Sequence, residues 1–238
     1  MEAPPPPRVA HPVMYHRWNW ISFLHWRYPP ALVQAMLPAG LRVETFDGSA
    51  WIGLTPFLMQ GVRAPGVPSV PWLSEFPETN VRTYVRDGRG RSGIWFLSLD
   101  AARLPAVVAA RTGYALPYFW SDMTVRRADD RISYRCARRW PGPRGARCDA
   151  DVRLGPPLAE RERDELAHFL TARYRLFSVV LGRLVAAEAE HVEWPLHRAE
   201  LLRLDQDLLP AAGLPPPDRE PLLHASVGVP VRVGMWHR

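Results

Sequence analysis

ETNVRTYVRDGRGRSGIWFLSL, residues Glu78 to Leu99, reads as two strands joined by a glycine-rich turn. In the first strand Thr79, Val81, Thr83 and Val85 alternate with Glu78, Asn80, Arg82 and Tyr84. Side chains in a strand point to opposite faces with a period of two. One face is therefore apolar or β-branched and suits a core. The other carries a carboxylate, an amide, a guanidinium and a phenol. That polar face either meets solvent, with Glu and Arg paired across strands, or lines an enclosed space.

Working outward, strands dominate on both sides. Arg17–Arg27 (RWNWISFLHWR) reads as a first strand. Strict alternation puts Trp18, Trp20, Ser22, Leu24 and Trp26 on one face, and Ile21, Phe23 and His25 on the other. Pro29 and Pro30 open a short helix over Ala31–Leu37, which Gly40 closes. Leu41–Val62 holds two strands around Asp47-Gly48, a strong hairpin signal. The connection from Arg63 to Pro77 is long and rich in Pro and Gly, so it is a candidate lid or pocket rim. Beyond Leu99 the expectations are a helix at 101–113, a strand at 121–127, and a hairpin, RISYRCARRW–PGPRG–ARCDADVRL. A helix over Ala159–Arg173 carries Leu166, Phe169 and Leu170 as one stripe. Periodicity leaves 174–192 open between helix and hairpin, and LLHASVGVPVRVGMW supplies one or two closing strands. The sum is an α+β fold dominated by antiparallel β, with roughly ten strands and two or three flanking helices, enough strands to close a barrel. Residues 1–13 read as a disordered or loosely packed arm, and 14–238 as a single domain.

The composition narrows the chemistry. All 30 basic residues of the 238 are arginine, giving a net charge of +6. Imine catalysis needs a free amine, and without lysine only the terminal one exists. No run approaches the ~18 apolar residues of a membrane span, and Met1–His11 lacks the apolar stretch of a signal peptide. Cys136 and Cys148 are the only cysteines, which excludes a disulfide framework and points to the cytoplasm. Centring their hairpin near Pro143 puts Cys136 opposite residue 150, so the two thiols are expected to be offset and reduced.

Trp26–Phe57, FPETNVRTYV (Phe76–Val85), GIWFLSLDA (Gly93–Ala101), TARYRLF (Thr171–Phe177) and WPLHRAEL (Trp194–Leu201) together resemble the YqjF-like family of uncharacterised bacterial proteins. That family is similar in fold to the acetoacetate decarboxylase superfamily. The resemblance implies a cone-shaped β-barrel around a small-molecule cavity, and a hairpin rather than a helix over Tyr174–Val192. It also carries one motif across. Decarboxylases of the superfamily have an arginine after a glycine, and six residues later a proline followed by two lysines, one of which forms the imine. Arg111 and Pro117 match the arginine and the proline, whereas Ala110 replaces the glycine and Tyr118 and Phe119 replace the lysines. The scaffold is implied and the Schiff-base decarboxylase activity is not. Glu78 is the nearest match to an acidic pocket residue of those enzymes.

The resulting candidate site has Glu78 as base beside Arg82 and Tyr118 as proton or hydrogen-bond donor. Arg82 or Arg111 anchors an anion, and Asn80, Tyr84 and His25 complete the substrate contacts, His25 at the mouth. The substrate class is an anionic or carbonyl compound. A non-catalytic ligand-binding or regulatory protein using the same cavity is the alternative reading. A third, weaker one is nucleic-acid binding by the eight arginines of Arg126–Arg147, for which a solvated arginine-rich edge is the plainer account. No metal is expected, because His191, His197 and His224 form no ligand motif. No cofactor is expected either, since neither a Walker loop nor GxGxxG occurs. No membrane partner is expected, and the oligomeric state stays open, a homo-oligomer included.

Overall fold

The structure, a computed structural model, describes residues 8–238. In chain order the elements are β1 (Met14–Tyr28), α1 (Pro30–Gln34), β2 (Leu41–Val43), β3 (Thr45–Phe46), β4 (Ser49–Arg63), β5 (Phe76–Asp87), β6 (Ser92–Ala101) and α2 (Leu104–Gly113). Then come β7 (Tyr118–Ala128), β8 (Arg131–Trp140), β9 (Arg147–Pro157), a 3-10 turn (Glu160–Glu162), α3 (Glu165–Thr171), β10 (Arg175–Val180), β11 (Arg183–Glu190), β12 (Leu196–Gln206), α4 (Leu208–Ala211) and β13 (Leu222–Val233). The fold is strand-dominated with few, short helices.

All strands join one sheet that forks twice. β6 pairs with β5 and, along different halves, in parallel with β7 and β10. β13 pairs with β1, β12 and β11. The pairings therefore return on themselves by two routes that share β1, β4 and β5: one through the β10–β11 hairpin, the other through β7, β8, β9 and β12. The shared strands are covered on both faces, which is why AWIGLTPFLM (Ala50–Met59) is buried without alternation. On one face Leu24, Ile52, Leu54 and Val81 pack with Ile132, Tyr134, Val152 and Leu208 in an apolar core. The opposite face carries the polar row of β5.

Two local details set which residues point inward. Asp47 and Gly48 take φ of 51° and 68°, as the expected two-residue turn requires. In β1 the strict alternation fails. Trp20 takes φ 48° and the β1–β4 register shifts after Asn19, so Trp18 comes onto the same face as Phe23 and stacks on Trp194 beside it. Gly228 makes the kink feasible: its φ is 123°, and a Cβ there would lie 2.2 Å from the Trp18 carbonyl oxygen.

Other expectations change. Helix 159–173 breaks into the 3-10 turn and α3, because Asp164 caps a new helix by accepting from the Ala167 amide at 2.7 Å. β12 and the short β2 raise the strand number to thirteen. Tyr174–Val192 does contain the hairpin that the resemblance implied, turning at Leu181-Gly182. None of the cavities described below is lined by residues 64–75, so the long loop is not their rim; Arg103 instead bonds the Trp72 carbonyl and stacks on its ring. Cys136 sits directly opposite Cys148, not offset, because the hairpin turns about Gly142 and not Pro143, with the Arg138 amide on the Ala146 carbonyl and the Gly145 amide on the Arg138 carbonyl. Of the N-terminal arm, residues 1–7 lie outside the described residues, and Val9 is buried with its amide on Glu190.

The arginine hairpin is neither an edge nor wholly solvated. β8 lies between β7 and β9, and β9 pairs onward with β12. Arg131 and Arg135 bind Asp151, Arg139 binds Asp122 and Arg147 binds Asp205. Arg138 is fully buried on Asp100. The charge that suggested nucleic acid is largely spent on carboxylates within the protein.

Candidate functional site

His25 of β1 sits opposite Gly53 of β4, and Gly53 sits opposite Arg82 of β5, which puts a histidine and an arginine in one row across the sheet. The missing side chain between them is needed. A Cβ on Gly53 would lie 3.1 Å from His25 Cδ2 and Nε2 and 3.4 Å from the Tyr84 hydroxyl. The Tyr84 hydroxyl donates to the Leu170 carbonyl in the last turn of α3 at 2.8 Å. Its one proton is thereby used, so His25 Nε2, 2.6 Å away, must be the donor to Tyr84. Nδ1 of His25 is then a bare acceptor, and it is buried without a partner. Burial, followed by Arg82 and His224, pushes the His25 pKa well below the usual value, which keeps the ring neutral.

Arg82 is 7% exposed, and among the described residues no carboxylate pairs with it. Its Nη2 makes one long bond, 3.4 Å, to the Leu170 carbonyl, and its Nε has no partner. The Phe23 and Tyr84 rings lie 5.4 and 5.8 Å from the guanidinium. Aromatic faces offset part of the cost of a buried cation, but a bare guanidinium remains expensive without an anion. It faces a cavity of about 40 Å³ bounded also by Thr55, Asn80, Phe96, His191 and Trp194. Two more arginines line it, but Arg173 binds Glu44 and Arg175 binds Glu188. The Asn80 Oδ1 is a second buried atom without a partner.

Glu78 lies farther along the same face of β5 and is 2% exposed. The Tyr118 hydroxyl, brought in at the start of β7, donates to Glu78 Oε2 at 3.0 Å. Burial raises the Glu78 pKa to about 7 against the opposing bonds from Tyr118 and Asn80, and Asp100 raises it further. Burial and the Glu78 charge also push Tyr118 well above the usual phenol value. Asp100 is itself held by Arg138 Nη2 at 2.7 Å and by the Ser121 hydroxyl at 2.7 Å. Arg138 stacks on Phe119, the neighbour of Tyr118, 3.6 Å from the ring centroid. A buried carboxylate near neutrality with a phenol on it can accept or return a proton at physiological pH.

The structure therefore brings Glu78 to Tyr118, and Arg82 to Tyr84 and His25, with Asn80 between the two groups. It does not pair Glu78 with Arg82. Four residues along a strand separate their Cα atoms by roughly 13 Å, and the Arg82 guanidinium turns toward α3. Arg111 is excluded from the group: it is exposed on α2, with Nη1 on the Tyr118 carbonyl at 2.6 Å, so it supports the backbone at Tyr118 from outside. Sequence reasoning missed Trp18, Arg173, His191 and Trp194 as cavity walls. TARYRLF and WPLHRAEL were legible as motifs, but nothing local said that they met.

A family model described as an uncharacterized conserved protein, DUF2071, matches residues 15–230. The chain belongs to that family. A curated relative, the uncharacterized protein YqjF of Bacillus subtilis, is 36% identical over 212 residues, 89% of this chain and 86% of its own. Solved structures with the same fold include an acetoacetate decarboxylase-like enzyme from Sphingomonas wittichii (TM-score 0.65, 14% identity, 96% of this chain and 93% of that one). Another is acetoacetate decarboxylase from Legionella pneumophila (0.65, 12%, 99% and 91%). A third is the enduracididine biosynthesis enzyme MppR complexed with pyruvate (0.66, 14%, 100% and 91%). The acetoacetate decarboxylase-like fold expected from the sequence is thus the fold of this DUF2071 protein.

Proposed function

We propose that residues 14–238 form one cone-shaped barrel domain of a small-molecule enzyme, which performs non-covalent acid–base chemistry on a compact anionic or carbonyl compound. The observation that carries this reading is the buried Arg82, which has no carboxylate partner among the described residues and faces a cavity on the strand face that also holds Glu78. An anion in the cavity supplies the missing charge at Arg82 and a partner for its Nε. A C–H bond next to a carbonyl then breaks, with its proton going to Glu78 directly or through one bridging water beside Asn80. The electron pair moves to the carbonyl oxygen. Once protonated, Glu78 is itself a donor, which frees the Tyr118 hydroxyl to turn to the new oxyanion. Pyruvate, the ligand of the MppR complex, is a carboxylate with a neighbouring carbonyl, the charge and chemistry of such a ligand. No step uses an imine, since the chain has no lysine.

Exchange of the methyl protons of pyruvate for deuterium in D2O, followed by NMR, tests the chemistry. Exchange that depends on Glu78 supports an enzyme. Arg82-dependent binding without exchange would favour the non-catalytic binding protein, the rival that uses the same cavity.

A further inference from the structure

Two of the cavity's walls also face outward. Trp194 and Thr171 line the interior cavity and, from their other side, a surface depression of about 180 Å³ formed with Glu160, Arg163, His168 and Leu196. We propose that ligands reach Arg82 through this depression, and that Trp194 is the partition that decides which anions are admitted; this rests on the reading of Arg82 as an anion site. Trp194 is held as a flat panel: it stacks on Trp18 (5.8 Å, 11°), meets Phe23 edge-on at 5.1 Å and packs on His191 at 5.2 Å. It lies in the strandless segment between β11 and β12, where Pro195 follows it and no sheet pairing fixes the backbone. Thr171 ends α3, the helix whose Leu170 carbonyl receives Arg82 and Tyr84. The partition thus joins a segment without ladder bonds to the end of a two-turn helix, so moving it breaks ring contacts but no strand pairing.

The cavity behind it is small. At ~10–15 Å³ of volume per water, it holds about three waters or a molecule of about four heavy atoms. A carboxylate such as acetate fits behind a closed Trp194, whereas an aryl-substituted one needs the indole displaced. The outer groove that holds Arg111 shares only Phe96 with the cavity, and Phe96 lies on β6 with paired neighbours. It is the competing route, and a useful control.

The experiment uses the full chain and a ladder of acetate, propanoate and phenylacetate, read by thermal shift and calorimetry. Wild type should respond to acetate, more weakly to propanoate, and not to phenylacetate. Trp194→Ala should gain phenylacetate binding by at least tenfold, and Phe96→Ala should gain nothing. No gain in Trp194→Ala, or the gain appearing in Phe96→Ala instead, overturns the assignment of the partition. If Trp194→Ala fails to fold, Ala172→Trp fills the depression without touching the cavity. It should then slow acetate association and dissociation alike, by tenfold or more, at unchanged Kd; unchanged rates overturn the route. Arg82→Met separates the two levels. If acetate binding survives that change, or is absent from wild type, the anion site fails and the partition with it. If it is abolished while the Trp194 and Ala172 variants behave as wild type, only the partition fails.

Discussion

The Tyr118 hydroxyl lies 3.0 Å from Glu78 Oε2, where a phenol stands at the place the superfamily resemblance gives to a lysine. The pair is buried, and the proton between them stays on the phenol, whose pKa is raised far above that of an acid itself raised to about 7. This makes Glu78 the group whose titration should be visible in the folded protein.

Its raised pKa has a definite sign. The folded state holds the Glu78 proton more tightly than the unfolded chain, where a glutamate has its ordinary value near 4.5. That contribution is complete below about pH 4.5 and is lost as pH rises through about 7, with a total on the order of 3 kcal/mol. Urea unfolding between pH 5 and 8 should show this loss, and Glu78→Gln should flatten it. An equal slope in both proteins would remove the assignment.

Tyr118→Phe takes away a donor that favours the carboxylate. The apparent pKa of Glu78 should move up, and stability above neutrality should fall by about 1.5–3 kcal/mol. Carboxylate infrared bands or 13C-Glu NMR would follow the midpoint directly. A downward shift would contradict the bond as described.

Asp100 and Arg138 form a buried ion pair behind that site, with both side chains at 0% exposure. Asp100→Leu or Arg138→Met alone should cost about 3–5 kcal/mol, whereas the two changes together should cost much less than their sum. Denaturation of the four proteins of this cycle measures the coupling. Additive losses would mean that the pair acts as two independent residues.

Gly53→Ala should push His25 off the Tyr84 hydroxyl, since the new Cβ would lie 3.1 Å from the imidazole. Overpacking of this kind costs about 1–3 kcal/mol. The His25 ring resonances should shift while those of His197, on β12 with its Nδ1 at the Gly155 carbonyl, do not.

Much of this was readable in advance, for a physical reason. The alternation in ETNVRTYV put Glu78, Asn80, Arg82 and Tyr84 on one face because the strand period is fixed by backbone geometry. That the face is enclosed was not readable, since enclosure depends on β10, β11 and Trp194, which are distant in sequence. Trp18 was assigned to the wrong face because one left-handed residue, Trp20, inverts the alternation. Arg82 was read as the partner of Glu78 because both are charged and share a face; rise along the strand keeps them apart. Arg111 followed the motif spacing correctly, but α2 holds it on the outer surface. The Cys136–Cys148 register escaped because the hairpin turns about Gly142, one residue before the Pro143 that the sequence suggests.

Arg82 is the central claim, and calorimetric titration with acetate at pH 6 addresses it most directly. Wild type should bind one equivalent, and Arg82→Met, which keeps length and apolar packing, should lose at least a hundredfold in affinity while remaining folded. Binding of equal strength in the two proteins, or none in wild type, would contradict an interior anion site at Arg82.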